Sequence, residues 1–124
     1  MSNNKIVIDK TSDKYRVLLK LVNKILKNIE KEEINDLTEF INIDRDDIIK
    51  DVNIKALKSM SKELFKHYDK YKCGYYRKSV GYVLNCLRGM LKELGFQLTY
   101  TRKELGEYVD GKSLRRTHTF YTIK

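Results

Sequence analysis

Proline is absent from this chain, and no low-complexity tract or internal repeat interrupts it, which excludes proline-rich linkers and stacked-repeat architectures. No apolar run approaches the roughly 18 residues of a membrane span, and Met1–Lys10 lacks the apolar centre of a signal peptide. The expectation is a protein without a membrane partner, inside the cell in cytoplasm or nucleus, or packaged in a virion. Histidine is scarce, only His67 and His118. No Ser, Cys or Asp stands in a nucleophile motif, and no glycine-rich loop is available to cradle a phosphate. Arg115, Arg116, His118 and Tyr121 contain the groups for phosphodiester chemistry with a tyrosine nucleophile, but alternation along a strand turns His118 and Tyr121 to opposite faces. The reading is therefore non-enzymatic, with no cofactor. The two cysteines, Cys73 and Cys86, lie thirteen positions apart without metal-type partner spacing and read as reduced packing residues.

The 124 residues are 41% hydrophobic and 35% charged, a balance that suits one folded soluble unit with a core of its own. Only Met1–Lys5 is expected to be loose. Lysine outnumbers arginine 19 to 7 in a chain rich in Ile and Asn, a style that inflates lysine everywhere, so location matters more than the net charge of +9. Met1–Phe65 holds 13 Lys/Arg against 12 Asp/Glu, a net +1, whereas Lys66–Lys124 holds 13 against 5, a net +8. A basic excess confined to one half points to a polyanionic partner.

Thr11, Ser12 and Asp13 supply N-cap candidates for a helix in which Tyr15, Leu18, Leu19, Val22, Ile25, Leu26 and Ile29 recur at steps of three and four. Before it, Ile6–Ile8 is a β-branched run, either an edge strand or a tail laid on the core. Ile34, Leu37, Phe40 and Ile41 predict a short helical element ending near Asn42. Asp44 or Arg45 opens a further turn, with Ile48, Ile49 and Val52 pointing inward. The carboxylates Asp44, Asp46, Asp47 and Asp51 resemble the start of a calcium loop, but Ile49 stands where that loop needs glycine and no Glu follows at its twelfth position, so no metal is expected. Asn53 is the candidate cap of a helix through Leu57, Met60, Ser61, Leu64, Tyr68 and Tyr71, ending before Gly74. The division is an N-terminal helical part, 1–52, and a C-terminal part, 53–124.

The C-terminal part carries the strongest signals. Ser79 caps a helix whose stripe Val80, Val83, Leu84, Leu87, Leu91 and Leu94 faces inward, and Gly95 stands where a left-handed residue is wanted. Its other face presents Tyr82, Asn85, Arg88, Gly89 and Lys92, with Arg77 and Lys78 at its start. Asn pairs bidentately with adenine and Arg with guanine, so this face has major-groove chemistry; the bland alternative is an ordinary solvated face. After Gly95 the period falls to two: Phe96, Leu98 and Tyr100 alternate with Gln97, Thr99 and Thr101. Asp110-Gly111 is a two-residue hairpin turn. If Val109 pairs with Lys112, then Tyr100 meets Tyr121, Leu98 meets Ile123, Thr101 meets Phe120 and Lys103 meets His118. Leu105-Gly106 is the expected place for a bulge. The outer hairpin carries Arg102, Lys103, Lys112, Arg115, Arg116 and His118 against Glu104, Glu107 and Asp110. Cations along a ribbon suit a phosphate backbone.

Helices followed by a capped helix that passes through Gly95 into a basic hairpin resemble the winged helix-turn-helix family over about Asn53–Ile123. That resemblance implies a helix reading the major groove through Asn85, Arg88 and Lys92, and a wing touching the backbone through Arg102, Lys103, Arg115 and Arg116. The predicted fold class is mainly α with a C-terminal β-hairpin (α+β): a helical bundle, then a recognition-type helix and a wing-like hairpin. The predicted interface comprises Arg77, Lys78, Asn85, Arg88, Lys92, Arg102, Lys103, Lys112, Arg115 and Arg116, with duplex DNA ahead of RNA as its partner. The alternative is a structural or assembly adaptor, homo-oligomeric or virion-type, whose basic surface meets an acidic partner or packaged genome; the lysine- and isoleucine-rich style is similar to that of small proteins of large DNA viruses.

Overall fold

The computed structural model describes residues 10–69 and 82–124. Helix α1 (Asp13–Asn28) begins on Ser12, whose hydroxyl accepts the Tyr15 amide at 3.2 Å. Its inward face is wider than the predicted stripe, because Val17 and Leu21 join Tyr15, Leu18, Val22, Ile25 and Leu26 in the core. Ile6–Ile8 lies outside the described residues.

The helical element predicted for Ile34–Asn42 does not form. One 3-10 turn, Leu37–Glu39, stands there, Leu37 and Phe40 are buried, and Ile41 is 55% exposed. Side chains of α1 have claimed the backbone groups a helix would have used. Asn23 donates to the Ile34 carbonyl and accepts its amide, at 3.0 and 2.8 Å, and the Tyr15 hydroxyl accepts the Leu37 amide. Strand β1 (Ile43–Asp44) follows, then helix α2 (Arg45–Ile48), whose N-cap is Asp44.

Asn53 was expected to cap a helix and instead sits inside α3 (Asp51–Ser59), fully buried, while Val52 is 47% exposed rather than inward. The Asn53 amide donates to the carbonyls of Asp47 and Ile48 at 2.9 and 3.1 Å, and its oxygen accepts from Asn28. These bonds stitch the α2–α3 corner to α1, so the buried polar group is satisfied. The single helix predicted to run toward Tyr71 is broken at Met60 into α3 and α4 (Ser61–His67). Ser59 donates its hydroxyl to the Ala56 carbonyl at 2.9 Å, the local competition that weakens a helix at serine. Tyr68 then leaves in extended backbone and donates its hydroxyl to the Lys14 carbonyl. Tyr71, Cys73, the Gly74–Lys78 connection, Ser79 and Val80 lie outside the described residues.

Helix α5 (Tyr82–Glu93) buries Val83, Leu84, Leu87 and Leu91 as predicted, and Cys86 and Met90 with them. Gly95 has φ +87°. The turn it permits returns the Phe96 amide to the Leu91 carbonyl at 2.8 Å, closing the helix end in the manner of a Schellman motif. Strands β2 (Leu98–Val109) and β3 (Lys112–Ile123) pair in the predicted register, with Asp110 and Gly111 both at positive φ. The bulge expected at Leu105-Gly106 is absent, since Leu105 faces Arg116 and Gly106 faces Arg115 without interruption. Gly106 is not among the positive-φ residues, so twelve residues meet twelve.

β1 adds to the outer side of β3 through Ile43 opposite Tyr121 and Asp44 opposite Phe120, giving an antiparallel sheet of order β1-β3-β2. The architecture is thus α+β, helices followed by a C-terminal hairpin. Its core joins residues of α1, α3, α4 and α5 with Phe96, Leu98, Tyr121 and Ile123 from the hairpin base. Among the described residues no helix is long and apolar enough to cross a membrane.

Candidate nucleic-acid interface

Asn85, Arg88 and Lys92 are all exposed on α5, and their spacing of three and four places them on one face. Because the Gly95 turn is so short, the last turn of α5 lies beside the base of β2. A groove of about 250 Å³ runs there, lined by Arg88, Lys92, Phe96, Gln97, Leu98 and Thr99.

The hairpin base is closed on itself and tied to Phe40 and Asn42. Gln97 and Lys124 exchange backbone hydrogen bonds at 2.8 and 2.9 Å, Ile123 donates to the Phe40 carbonyl, and Asn42 donates to the Thr122 hydroxyl at 3.0 Å. Beyond Tyr100 and Phe120 the ribbon leaves the core, and Arg102–Gly106, Tyr108 and Lys112 are exposed. At about 3.4 Å per residue, the arm from Thr101 to Val109 extends roughly 27 Å.

The register divides the predicted hairpin cations between two sides. Gln97 and Thr99, which line the groove, share their side of the ribbon with Lys103 and, across the ladder, with Lys112, Arg116 and His118. Arg102 and Arg115 project from the other side, the one that at the base sends Leu98, Tyr121 and Ile123 into the core. The fold thus sets Asn85, Arg88 and Lys92 on the exposed face of α5, Lys103, Lys112 and Arg116 on one side of the ribbon, and Arg102 and Arg115 on the other. Arg77 and Lys78 lie outside the described residues. Two cations rest on rings at the arm's root: Arg102 over Tyr100, 5.4 Å from its centroid, and Lys103 over Phe120, 5.9 Å away. Such contacts hold long side chains near the ribbon while leaving the charge at the surface.

A second basic groove, about 540 Å³, follows the outer face of α1 between Arg16, Lys20, Lys24 and Lys27, with Glu33 at its rim. Lys20 pairs with Glu63 at 3.4 Å and Lys24 donates to Ser59, so part of this charge is spent on α3 and α4.

One constellation joins two carboxylates of the sequence's acidic cluster to a histidine far along the chain. Asp44, Asp46 and His118 bring two carboxylates and an imidazole within 4.8 Å of one another, a donor set with metal-ligand chemistry. Both Asp44 oxygens are engaged: Oδ1 accepts the Asp46 amide at 3.0 Å, capping α2, and Oδ2 lies 3.1 Å from His118 Nδ1. The group fastens β1 and α2 to the middle of β3. Asp44 and His118 stand 74 positions apart, so no local spacing pattern announces their meeting. The Asp36 carboxyl is held down to about 2 by the Lys10 ammonium and by the amide and hydroxyl of Thr38, which ties the approach to α1 onto the 3-10 turn.

Comparison with protein-family models, with curated proteins and with solved structures finds no match to this chain.

Proposed function

We propose that this protein binds duplex DNA without catalysing a reaction, laying α5 toward the major groove and the basic hairpin along the phosphate backbone. The observation that carries this reading is the junction of a basic helix face with a basic ribbon. Arg88 and Lys92 line one groove with Gln97, Leu98 and Thr99 at the base of β2, and beyond that base the ribbon carries Lys103, Lys112 and Arg116 on one side and Arg102 and Arg115 on the other. A helix about 10–12 Å across matches the ~12 Å major groove of B-DNA, whereas the deep, narrow major groove of RNA duplexes excludes it. Asn85 and Arg88 have the donor and acceptor patterns for base edges, and the hairpin cations have the reach for phosphates. The reading of this half as a winged helix-turn-helix draws its support from the same features: α5 passing through the Gly95 turn into the hairpin, and the hairpin base fixed to the helices by β1.

Gel-shift titration of Arg88→Ala and of an Arg115→Ala/Arg116→Ala double variant tests the proposal. Each is expected to weaken binding, and the loss should shrink as salt rises. Unchanged affinity in both variants removes α5 and the hairpin from the interface.

A role in assembly is the second reading. It is favoured by Tyr108, 82% exposed near the tip of an arm that already leaves the core, a place where an aromatic side chain serves a partner better than it serves the fold.

A further inference from the structure

The two long edges of the hairpin arm differ in the order of their charges. β1 covers β3 only at Tyr121 and Phe120, so the rest of that edge reads Lys112, Arg115, Arg116 and His118 with no acid. Laid antiparallel against its own copy, it opposes cation to cation. β2 is the edge strand over its whole length, and it runs from basic to acidic: Arg102 and Lys103, then Glu104 and Glu107. Reversing a second copy against it brings positive positions to negative ones. No bulge or proline blunts this edge, the usual devices by which edge strands avoid such pairing.

Two-fold pairing with the axis perpendicular to the sheet sets one residue opposite itself, and only a few choices exist. Centring on Arg102 or Lys103 opposes like cations, and centring on Glu104 opposes acids. Centring on Gly106 sets Lys103 opposite Val109 and Leu105 opposite Glu107, leaving both charges unpaired, and sets Arg102 opposite Asp110 only where the turn ends the ladder. Centring on Leu105 sets Lys103 opposite Glu107 twice, Arg102 opposite Tyr108 twice, and Leu105 opposite Leu105. In that register Lys103–Glu107 and Leu105–Leu105 lie on one face and Arg102–Tyr108 on the other, and these pairs are of the stabilising cross-strand kinds. It also covers Leu105 and Tyr108, which stand 41% and 82% exposed in the single chain. The ladder runs from Thr101 to Val109, and the Asp110-Gly111 turn of the second copy reaches Tyr100. It stops short of Leu98, where β2 enters the core.

We propose that β2 is a self-association edge: a second copy of this chain pairs antiparallel with it, centred on Leu105, to give one continuous sheet of order β1-β3-β2-β2-β3-β1. Both outer edges of that sheet are the cationic β3 edges, and it carries two α5 helices. The proposal does not rest on the nucleic-acid reading, since every contact in it is between copies of β2.

Sedimentation equilibrium of the full chain, free of nucleic acid, over a range of concentrations tests it. The wild-type chain is expected to reach twice its 14.8 kDa. Lys103→Glu and Glu107→Lys, each placing like charges opposite one another twice, are expected to weaken association by roughly tenfold or more. The doubly swapped variant, Lys103→Glu with Glu107→Lys, restores it. Lys103 is exposed and both positions stand on β2 beyond Tyr100, so circular dichroism should report an unchanged fold. A wild-type chain that stays monomeric at about 100 µM, a dimer indifferent to either single change, or a swap that fails to restore association each overturns the proposal.

Discussion

Arg115 and Arg116 are neighbours in sequence, yet the ladder turns them to opposite sides of the hairpin, and this makes them a sharp test of the interface. Arg116 stands opposite Leu105 on the side that carries Lys103 and Lys112; Arg115 stands opposite Gly106 on the other, with Arg102. Two extended arginines on opposite sides of a ribbon carry their charges more than about 10 Å apart, comparable with the Debye length near 0.1 M salt. A phosphate within hydrogen-bonding reach of Arg116 is therefore largely screened from Arg115. Each phosphate contact contributes about 0.9 to the slope of log affinity against log salt. Between 50 and 200 mM salt, a fourfold change, one contact therefore accounts for a factor of roughly 3.5 in affinity. Arg116→Ala is expected to flatten the slope by about 0.9, and Arg115→Ala by less than a third of that. Fluorescence anisotropy of a labelled duplex across that salt range measures both. Equal losses, or a larger loss at Arg115, refute the assignment of one side of the hairpin to DNA. Neither residue lies on β2, so the comparison is insensitive to pairing between copies.

Further predictions concern the frame that holds this surface. Asn53→Ala strips the Asp47 and Ile48 carbonyls of a buried donor and is expected to cost about 2–3 kcal/mol, lowering the melting temperature by roughly 10 °C in calorimetry; a loss under about 0.5 kcal/mol would show the corner is held by packing alone. Asp36 has its carboxyl lowered from 3.8 to about 2 by Lys10 and Thr38. Its contribution to stability is present above pH 4 and lost as pH falls toward 2, so Asp36→Asn should flatten the acid limb of urea-unfolding midpoints while the wild type declines. Gly95→Ala places a β-carbon at φ +87° and should cost about 1–2 kcal/mol, read by chemical denaturation. Asp44→Ala removes the α2 cap and the His118 contact together, and hydrogen exchange should show faster opening of β1 with the distal hairpin little changed.

Elements whose information is local were legible in the residues. α1 has a capping hydroxyl and an apolar face of helical period, α5 has its stripe and Gly95, and Asp110-Gly111 specifies a turn from which the register follows by counting. A one-residue slip would have turned Leu98, Tyr121 and Ile123 out of the core, so hydrophobic patterning and turn chemistry agreed on one answer. The segment between α1 and α3 misled for the converse reason. Its apolar spacing suits a helix, but Asn23 and Tyr15 on α1 hold its amides and carbonyls in an irregular path. Nothing in the local composition records a side chain arriving from another element. Asn53 illustrates the same limit, since a residue type favoured at caps became the buried tie between three segments.

What the sequence determined by itself is a set of elements and one register: α1, α5, the hairpin, and a basic excess in the second half of the chain. Tertiary structure alone decided how that excess is arranged. It closed β1 onto β3 through residues some 74 to 80 positions apart, and set Arg88 and Lys92 beside Gln97 and Thr99. By anchoring one side of the hairpin base in the core, it sent Arg115 and Arg116 in opposite directions. Charge counts add along a chain, but a surface is made by which charges face the same way, and that depends on packing between distant elements.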